Sequence, residues 1–572
     1  MKIIPEFFIT LLKYISSYTI NHRMKRLTSL IVLLVTTSLS SALIQAQKYA
    51  TANPISESDL ESHVSFLASP LLKGRLNGGE GLEIAGSYLA AQAKKAGLKP
   101  ANNNSFFQPF TVIKKTTDYS KTSVKIISNG KDSVFCTEPF LNLVPTGPAN
   151  FSLEGEVVFA GYGIKADKYS YNDFENIKPE GKILLILDRA PMNEEGNKLK
   201  FEEPAWNSEF NIQSKLTTLL LTKAKAILVV SDPKSGYNSL GESNPGIASY
   251  LEAKTALPGA KDEMANPFMS AMPKVLFIHR KMADELLKGT GFDLATLQKD
   301  IDNTMKSRSF PIENKKLIIN AGISDSEMTL NNIAGYIEGS DPVLKNEVLV
   351  FSGHYDHIGA SGEKVFTGAD DDASGCAALL EMAEAFIGMK KPPRRTILFL
   401  WVAAEEIGLY GSESYTKAPL FPLEKTVADL NMDMIGRVKG VADTSDQNPM
   451  SGPNTVFVIT DNQSSELLAI AKKADERNKI DFDYSLGGKD HPLQLFSRSD
   501  HYNFVKKDIP VLFFTTGLHT DYHTQGDVIG KIDFAKMELV TKTMFEIGLE
   551  VANRKTRLVV DNPFSSWTKK AK

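Results

Sequence analysis

Short apolar runs bounded by Gly, Pro, Asp or Lys mark two stretches of this chain and predict strands in both. The first stretch holds VVFAGYGI (157–164), KILLILD (182–188), AILVVSD (226–232) and KVLFIH (274–279), with a helical stretch at about 212–225. That spacing predicts a separate, smaller β-rich or α/β unit. From about residue 330 the pattern becomes strand, helix, strand, helix. EVLVFSGH (347–354), RTILFLWVAAEE (395–406) and IPVLFFTT (509–516) are dense apolar runs of the kind buried on both faces of a sheet. Ala373 to Ile387 and Ser464 to Asn478 read as the helices between them. Nearer the amino terminus, Leu82, Ala85, Leu89, Ala93 and Ala96 recur at helical spacing ahead of Gly97, a candidate C-cap. Residues 231–273, rich in Ser, Gly, Asn and Pro, predict long loops.

Before all of this, Met24-Lys25-Arg26 opens a basic stretch followed by the uncharged run Leu27 to Ile44, which ends at Gln45-Ala46-Gln47. That is the pattern of a secretory signal, and residues 1–46 are expected to be an export segment. The run is hydroxyl-rich and short for a membrane span, which needs about 20 apolar residues. The mature chain is therefore expected in a periplasmic or extracellular compartment, with no stable membrane span.

Composition narrows the function. A length of 572 residues predicts more than one domain, and 42% apolar with 23% charged residues is an ordinary globular balance. Lys plus Arg number 65 against 68 Asp plus Glu, a formal charge of −3. No basic excess exists to neutralise a phosphate backbone, which argues against nucleic-acid binding. Two cysteines, Cys136 and Cys376, exclude a disulfide scaffold and a cysteine-rich zinc site.

Candidate chemistry gathers in the second half. Six of nine histidines lie between 354 and 523. GHYDHIG (353–359) closes one strand, TGADDDASG (367–375) opens a helix, and AAEEIG (403–408) closes another strand. LNMDMIG (430–436) sets Asp433 among apolar residues, and LHTDYHTQGD (518–527) follows the last strong strand. In open α/β sheets ligands gather beyond the carboxyl ends of strands, where these motifs fall. Each motif alone has a plain reading. The three acids 370–372 suit a helix N-terminus, and Glu405-Glu406 suits a solvated strand end. A buried carboxylate at 433, however, is expensive without a partner. Imidazoles and carboxylates together suit zinc, and paired metals can polarise a carbonyl and acidify a shared water while a further carboxylate moves the proton.

In their order these motifs (His-x-Asp, Asp-Asp, Glu-Glu, Asp, His) resemble the secreted co-catalytic di-zinc aminopeptidase family, whose relatives include glutamate carboxypeptidases, glutaminyl cyclases and the transferrin receptor. The resemblance implies two Zn2+ per chain, one of them replaceable by another divalent ion. His354 and Asp433 would hold one and Glu406 and His523 the other, with Asp371 bridging them. Glu405 would be the general base, activating a zinc-bridging hydroxide for hydrolysis of the amino-terminal bond of peptide substrates. It also implies that Asp356 orients His354, that Asp500, His501 and Tyr522 support the pocket or meet substrate, and that the peptide from Asp371 to Asp372 is cis. His357 and His519 read as loop histidines or as partners behind the ligands.

The expected fold is α/β, a central mixed, mostly parallel sheet flanked by helices, with a smaller β-rich inserted domain. The expected divisions are 53–139 for the amino-terminal part of the catalytic domain and 140–325 for an insertion that resembles a protease-associated domain, with connecting segments. Residues 326–555 would form the main catalytic domain and 556–572 a tail. The alternatives are carboxypeptidase or dipeptidase action by the same centre, a non-catalytic receptor-like binding protein, and glutaminyl cyclase chemistry.

Overall fold

A computed structural model describes residues 51–135, 141–143, 150–196, 198–201, 215, 218–243, 254–258, 273–440, 449–460 and 463–567. The expected export segment lies outside the described residues, as does Cys136. Thr51 bridges Met389 within a small unit formed by 51–53 and 388–391. Everything below belongs to the other unit, Pro54–Ile387 with Pro392–Lys572.

The larger sheet takes strands Lys99–Pro100 (β1), Phe107–Thr117 (β2), Lys254–Ala256 (β3), Ile323–Ile337 (β4), Val348–His354 (β5), Thr396–Val402 (β6), Thr426–Met432 (β7), Thr455–Ile459 (β8), Asp481–Asp483 (β9) and Val511–Thr515 (β10). Their order is β3-β2-β4-β6-β5-β7-β10-β8-β9, with β1 also on β4. The central strands β6, β5, β7 and β10 are mutually parallel. Pairs β1–β4, β2–β3, β2–β4, β4–β6 and β8–β10 are antiparallel. The sheet is thus mixed, and its parallel part is confined mainly to the centre rather than extending over most of it.

Burial on both faces explains why β5 and β6 read as unbroken apolar runs, since every residue of both is buried. On one face Phe351 stacks on Phe399 at 5.3 Å, and Phe386 packs against Phe545 at 4.4 Å. Phe386 lies on the helix Ala373–Ile387 and Phe545 on the helix Phe534–Asn553. On the other face the alternate residues Val348, Val350, Leu398, Leu400 and Val402 pack with Tyr415, Phe496, Phe504 and Phe513. The amino-terminal helix runs Glu80–Ala96, and Gly97 caps it in the left-handed region at φ 101°.

A second sheet runs in the order Lys131–Phe135, Ser123–Ser128, Phe310–Ala321, Phe151–Phe159, Ile183–Leu187, Ala226–Val230, Lys274–Ile278, Leu141–Leu143. Its four apolar strands, from 151 to 278, are parallel in sequence. Apolar layers form on both sides, Leu185 and Leu187 facing one and Leu184 and Ile186 the other. Charges are buried at the strand ends. Asp232 accepts two bonds from Arg189, at 2.5 and 2.8 Å, and one from Gln298 at 2.6 Å.

Between strands of this second sheet the chain makes an excursion. Lys254–Ala256, from the stretch expected to be loop, pairs with β2 at the edge of the larger sheet. There Tyr410 donates its hydroxyl to the carbonyl of Thr255, close behind the Glu405-Glu406 turn. Among the described residues no helix is long and apolar enough to cross a membrane.

Candidate metal centre

Strand ends, the loop that leads into a helix and the loop after the last central strand deliver the candidate side chains. His354 is the last residue of β5, Asp433 directly follows β7, and Glu405-Glu406 follow β6. Asp371 lies two residues before the helix Ala373–Ile387, and the peptide joining it to Asp372 is cis. Ala404, Met434 and His523 all have positive φ, 61°, 58° and 53°. Three non-glycine residues in that sparsely populated region, each within two residues of a candidate donor, mark a backbone bent to aim side chains.

The geometry centres on Asp371. One carboxylate oxygen lies 3.1 Å from His354 Nε2, and the other lies 3.2 Å from His523 Nε2. His354 Nε2 is also 3.5 Å from Asp433 Oδ1, and His523 Nε2 is 3.0 Å from Glu406 Oε2. His354, Asp371 and Asp433 form one convergent group; His357, Asp371, Glu406 and His523 form another. Asp371 is common to both. Two donors bound to one tetrahedral zinc lie about 3.3–3.6 Å apart, given ligand distances of about 2.0–2.2 Å. Most of the contacts fall at or just below that separation. The buried Asp433 Oδ1 has no hydrogen-bond partner among the described residues, and a cation would meet that need.

The three consecutive acids divide their work. Asp372 Oδ1 accepts from the amides of Gly375 and Met434, the first of these being the helix-capping role. Asp370 Oδ1 accepts from the amide of Gly436. Asp371 alone turns to the centre. The loop is held from outside by Asp527, whose carboxylate accepts the amides of Asp370 and Asp371 at 3.0–3.1 Å. It is also held by Arg75, which donates to the carbonyls of Thr367, Gly368 and Asp371. Neither residue stood out in the sequence. Asp527 closes a motif whose histidine draws the eye, and Arg75 lies in LLKGRL, far from the other motifs.

Asp356 is fully buried. Its carboxylate accepts Asn77 Nδ2 at 2.7 Å and the amides of Glu405 and Glu406 at 3.2 and 3.3 Å. His354 Nδ1 is nearer the backbone oxygen of Asp356, at 3.2 Å, than its carboxylate, at 3.7 Å. The side chain therefore braces the glutamate turn, and the main chain faces the histidine. Tyr522 stacks on His523 at 3.9 Å and accepts a bond from Arg498 at 3.1 Å. Asp500 is buried, which pushes its carboxyl up to about 7 although His354 pulls the other way.

Charge in the centre is strongly perturbed. Burial raises Glu405 well above the usual carboxylate range; His354 opposes this, and Glu406 adds to it. Glu406 goes the opposite way, to about 2, because His523 and a bond from His357 outweigh its burial. A cation among these carboxylates would lower Glu405 again.

His501 does not reach the centre. Its ring packs on Phe513 at 4.8 Å, and Nε2 lies 3.0 Å from the carbonyl of Phe496. Burial pushes this imidazole down to about 3 from the usual 6.5. The unfolded chain takes up a proton below 6.5 while the folded chain does not. Stability is therefore lost as pH falls from 6.5 towards 3, by about 2 kcal/mol at pH 5. A His501→Phe protein is expected to lose less stability between pH 7 and pH 5 than the parent, read from urea midpoints. Equal losses would remove His501 as the cause.

Residues 332–548 match the model of peptidase family M28. The chain is 27% identical over 282 residues to a probable leucine aminopeptidase of Arthroderma otae, covering 44% of this chain and 72% of that protein. It is 30% identical over 214 residues to leucine aminopeptidase 1 of Sclerotinia sclerotiorum, covering 34% and 50%. The match thus spans half the length of the second relative. Among solved structures, the zinc aminopeptidase BSAP of Bacillus subtilis superposes with a TM-score of 0.51 at 18% identity, over 89% of this chain and 98% of that one, which shows a shared fold. The residues that match the model of peptidase family M28 carry four strands of the parallel centre and all five donors gathered around Asp371.

Proposed function

We propose that this protein is a zinc-dependent aminopeptidase that removes the amino-terminal residue of peptides. The observation that carries the reading is Asp371, one carboxylate with an imidazole on each oxygen and a second carboxylate beyond each imidazole. His354 and Asp433 would hold one zinc, Glu406 and His523 the other, and Asp371 both. Bound cations would polarise the scissile carbonyl and acidify the attacking water.

The chain's own groups do the rest. Glu405 stands beside the donors and keeps some contact with solvent. It takes the proton from the attacking water and returns it to the leaving amine. Asp356 holds the two glutamate amides, so that Glu405 and Glu406 keep separate directions. An excess of carboxylates suits a substrate that presents a free ammonium, and the names of the fungal relatives point the same way.

The test uses leucyl and other aminoacyl anilides, a dipeptide, and the same dipeptide acetylated at its amino terminus. The expected result is hydrolysis of the free-amine substrates, its loss on chelation, its return with zinc, and no cleavage of the acetylated form. Cleavage of the acetylated peptide from its carboxyl end would replace the aminopeptidase reading with a carboxypeptidase one.

A further inference from the structure

We infer that His357 is a positioning residue that donates its Nδ1–H to Glu406 and fixes which oxygen Glu406 presents to the centre. The inference rests on the metal-holding reading of the donor cluster. His357 Nδ1 lies 2.8 Å from Glu406 Oε1, while Glu406 Oε2 lies 3.0 Å from His523 Nε2. The two carboxylate oxygens therefore have different duties. One is tied by a histidine from behind, and the other faces a proposed ligand. His357 Nδ1 is farther from Asp371, at 3.7 Å.

The imidazole has little freedom to do otherwise. Its ring is fully buried. Its amide donates to the carbonyl of Arg75 at 3.1 Å, and two residues on the amide of Gly359 donates to the carbonyl of Gly74 at 3.0 Å. Behind the ring is Gly368, at φ 56°, where a Cβ would come within 2.6 Å of His357 Cγ and Cδ2. Only a residue without a side chain leaves room for the ring there.

Position alone would also admit His357 as a further ligand, since Nδ1 belongs to the convergent group. Its other nitrogen decides between the two. A metal-binding histidine usually donates its remote N–H to an acceptor. His354 has such an acceptor in the carbonyl of Asp356 at 3.2 Å. His357 Nε2 is buried with no hydrogen-bond partner among the described residues. Ligation through Nδ1 would force the proton onto Nε2 and orphan a buried donor, and orphaned donors are rarer in proteins than unfilled acceptors. Donation from Nδ1 to Glu406 avoids this. It also leaves the neighbouring ion three protein donors and an open position, as catalysis requires.

The experiment is competition between the full-length protein and a chromophoric chelator for Zn2+, with parent, His357→Ala and His357→Asn proteins, together with absorption spectra of their Co2+ forms. Asn Nδ2 falls where His Nδ1 was and can donate the same bond, but an amide is a poor metal ligand. The expected result is one site unchanged and one weakened about 10–100-fold in His357→Ala. The Asn protein should recover most of that affinity and show the Co2+ spectrum of the parent. If the alanine protein does not fold, His357→Leu replaces it as the non-donating control. An Asn protein as weak as the alanine one, with an altered Co2+ spectrum, would make His357 a ligand and overturn the inference. Equal affinities in all the proteins would overturn it too. Absence of zinc binding in the parent would sink the underlying metal reading instead, so the two failures are distinguishable.

Discussion

A Glu405→Gln protein is expected to bind zinc like its parent and to turn over peptide about 10²–10⁴ times more slowly, the range typical of a lost general base. Glutamine keeps the length and planarity of the side chain. It also leaves the backbone bond from the Glu405 amide to Asp356 intact. What it removes is the oxygen able to accept a proton. Glu405 is not among the donors that converge on Asp371, so metal content should hold. The loss should fall on kcat with little change in KM, because the group acts on the reacting water and not on the bound peptide. Steady-state kinetics and metal analysis of the same preparation check this. Turnover within a few-fold of the parent would remove Glu405 from the proton path, and loss of metal would move it into the donor set.

The second large effect is expected at Arg75, well outside the centre. Its guanidinium is buried and donates five bonds, each to a main-chain carbonyl. Tyr355 and Leu67 accept at 2.8 and 2.6 Å, Thr367, Gly368 and Asp371 at 2.7, 3.0 and 3.2 Å. One side chain thus ties the turn after β5 to the loop that carries Asp371. Burial lowers its pKa from the usual arginine value, with Asp371, Asp372 and Asp356 among the groups that oppose this. An Arg75→Ala protein leaves five buried carbonyls short of a donor, at about 1–3 kcal/mol each, so a loss of about 5 kcal/mol or more is expected. That is comparable to the whole stability of many domains. Any folded fraction should bind zinc weakly, because the Gly368–Asp371 loop is released. Denaturant midpoints and zinc titration read both effects, and Arg75→Lys should recover part of the stability. A loss below about 1 kcal/mol would show that water or neighbouring groups replace the guanidinium.

Sequence patterning and structure agree where apolar runs are continuous. EVLVFSGH, RTILFLWVAAEE and IPVLFFTT end in or beside strands at Val348–His354, Thr396–Val402 and Val511–Thr515. The helices at 373–387 and 465–478 also fall where their periodicity put them. The long strands Phe107–Thr117 and Ile323–Ile337 were not legible. They lie toward the edge of the larger sheet, and polar or partly exposed residues interrupt their apolar positions. Lys254–Ala256 was illegible for another reason. Three residues carry no periodicity, and their strand exists only because β2 offers an unpaired edge.

What the sequence by itself determined is the chemical inventory: which side chains can bind a divalent cation, in what order, and that they fall at the ends of apolar strands. Their order was enough to mark a resemblance to a family, and strand ends in a parallel sheet all face one side. What only the tertiary structure decided is the partnership of each group. Asp371 rather than Asp370 or Asp372 turns inward, and Asp356 braces the glutamates. His357 grips Glu406 while His501 sits in the core, and Arg75 and Asp527 hold a loop almost 300 and more than 150 positions away from them in sequence. The reason is physical. Strand and helix periods follow from neighbours a few residues apart, whereas a hydrogen bond over 2.6–3.2 Å depends on where distant backbones come to rest.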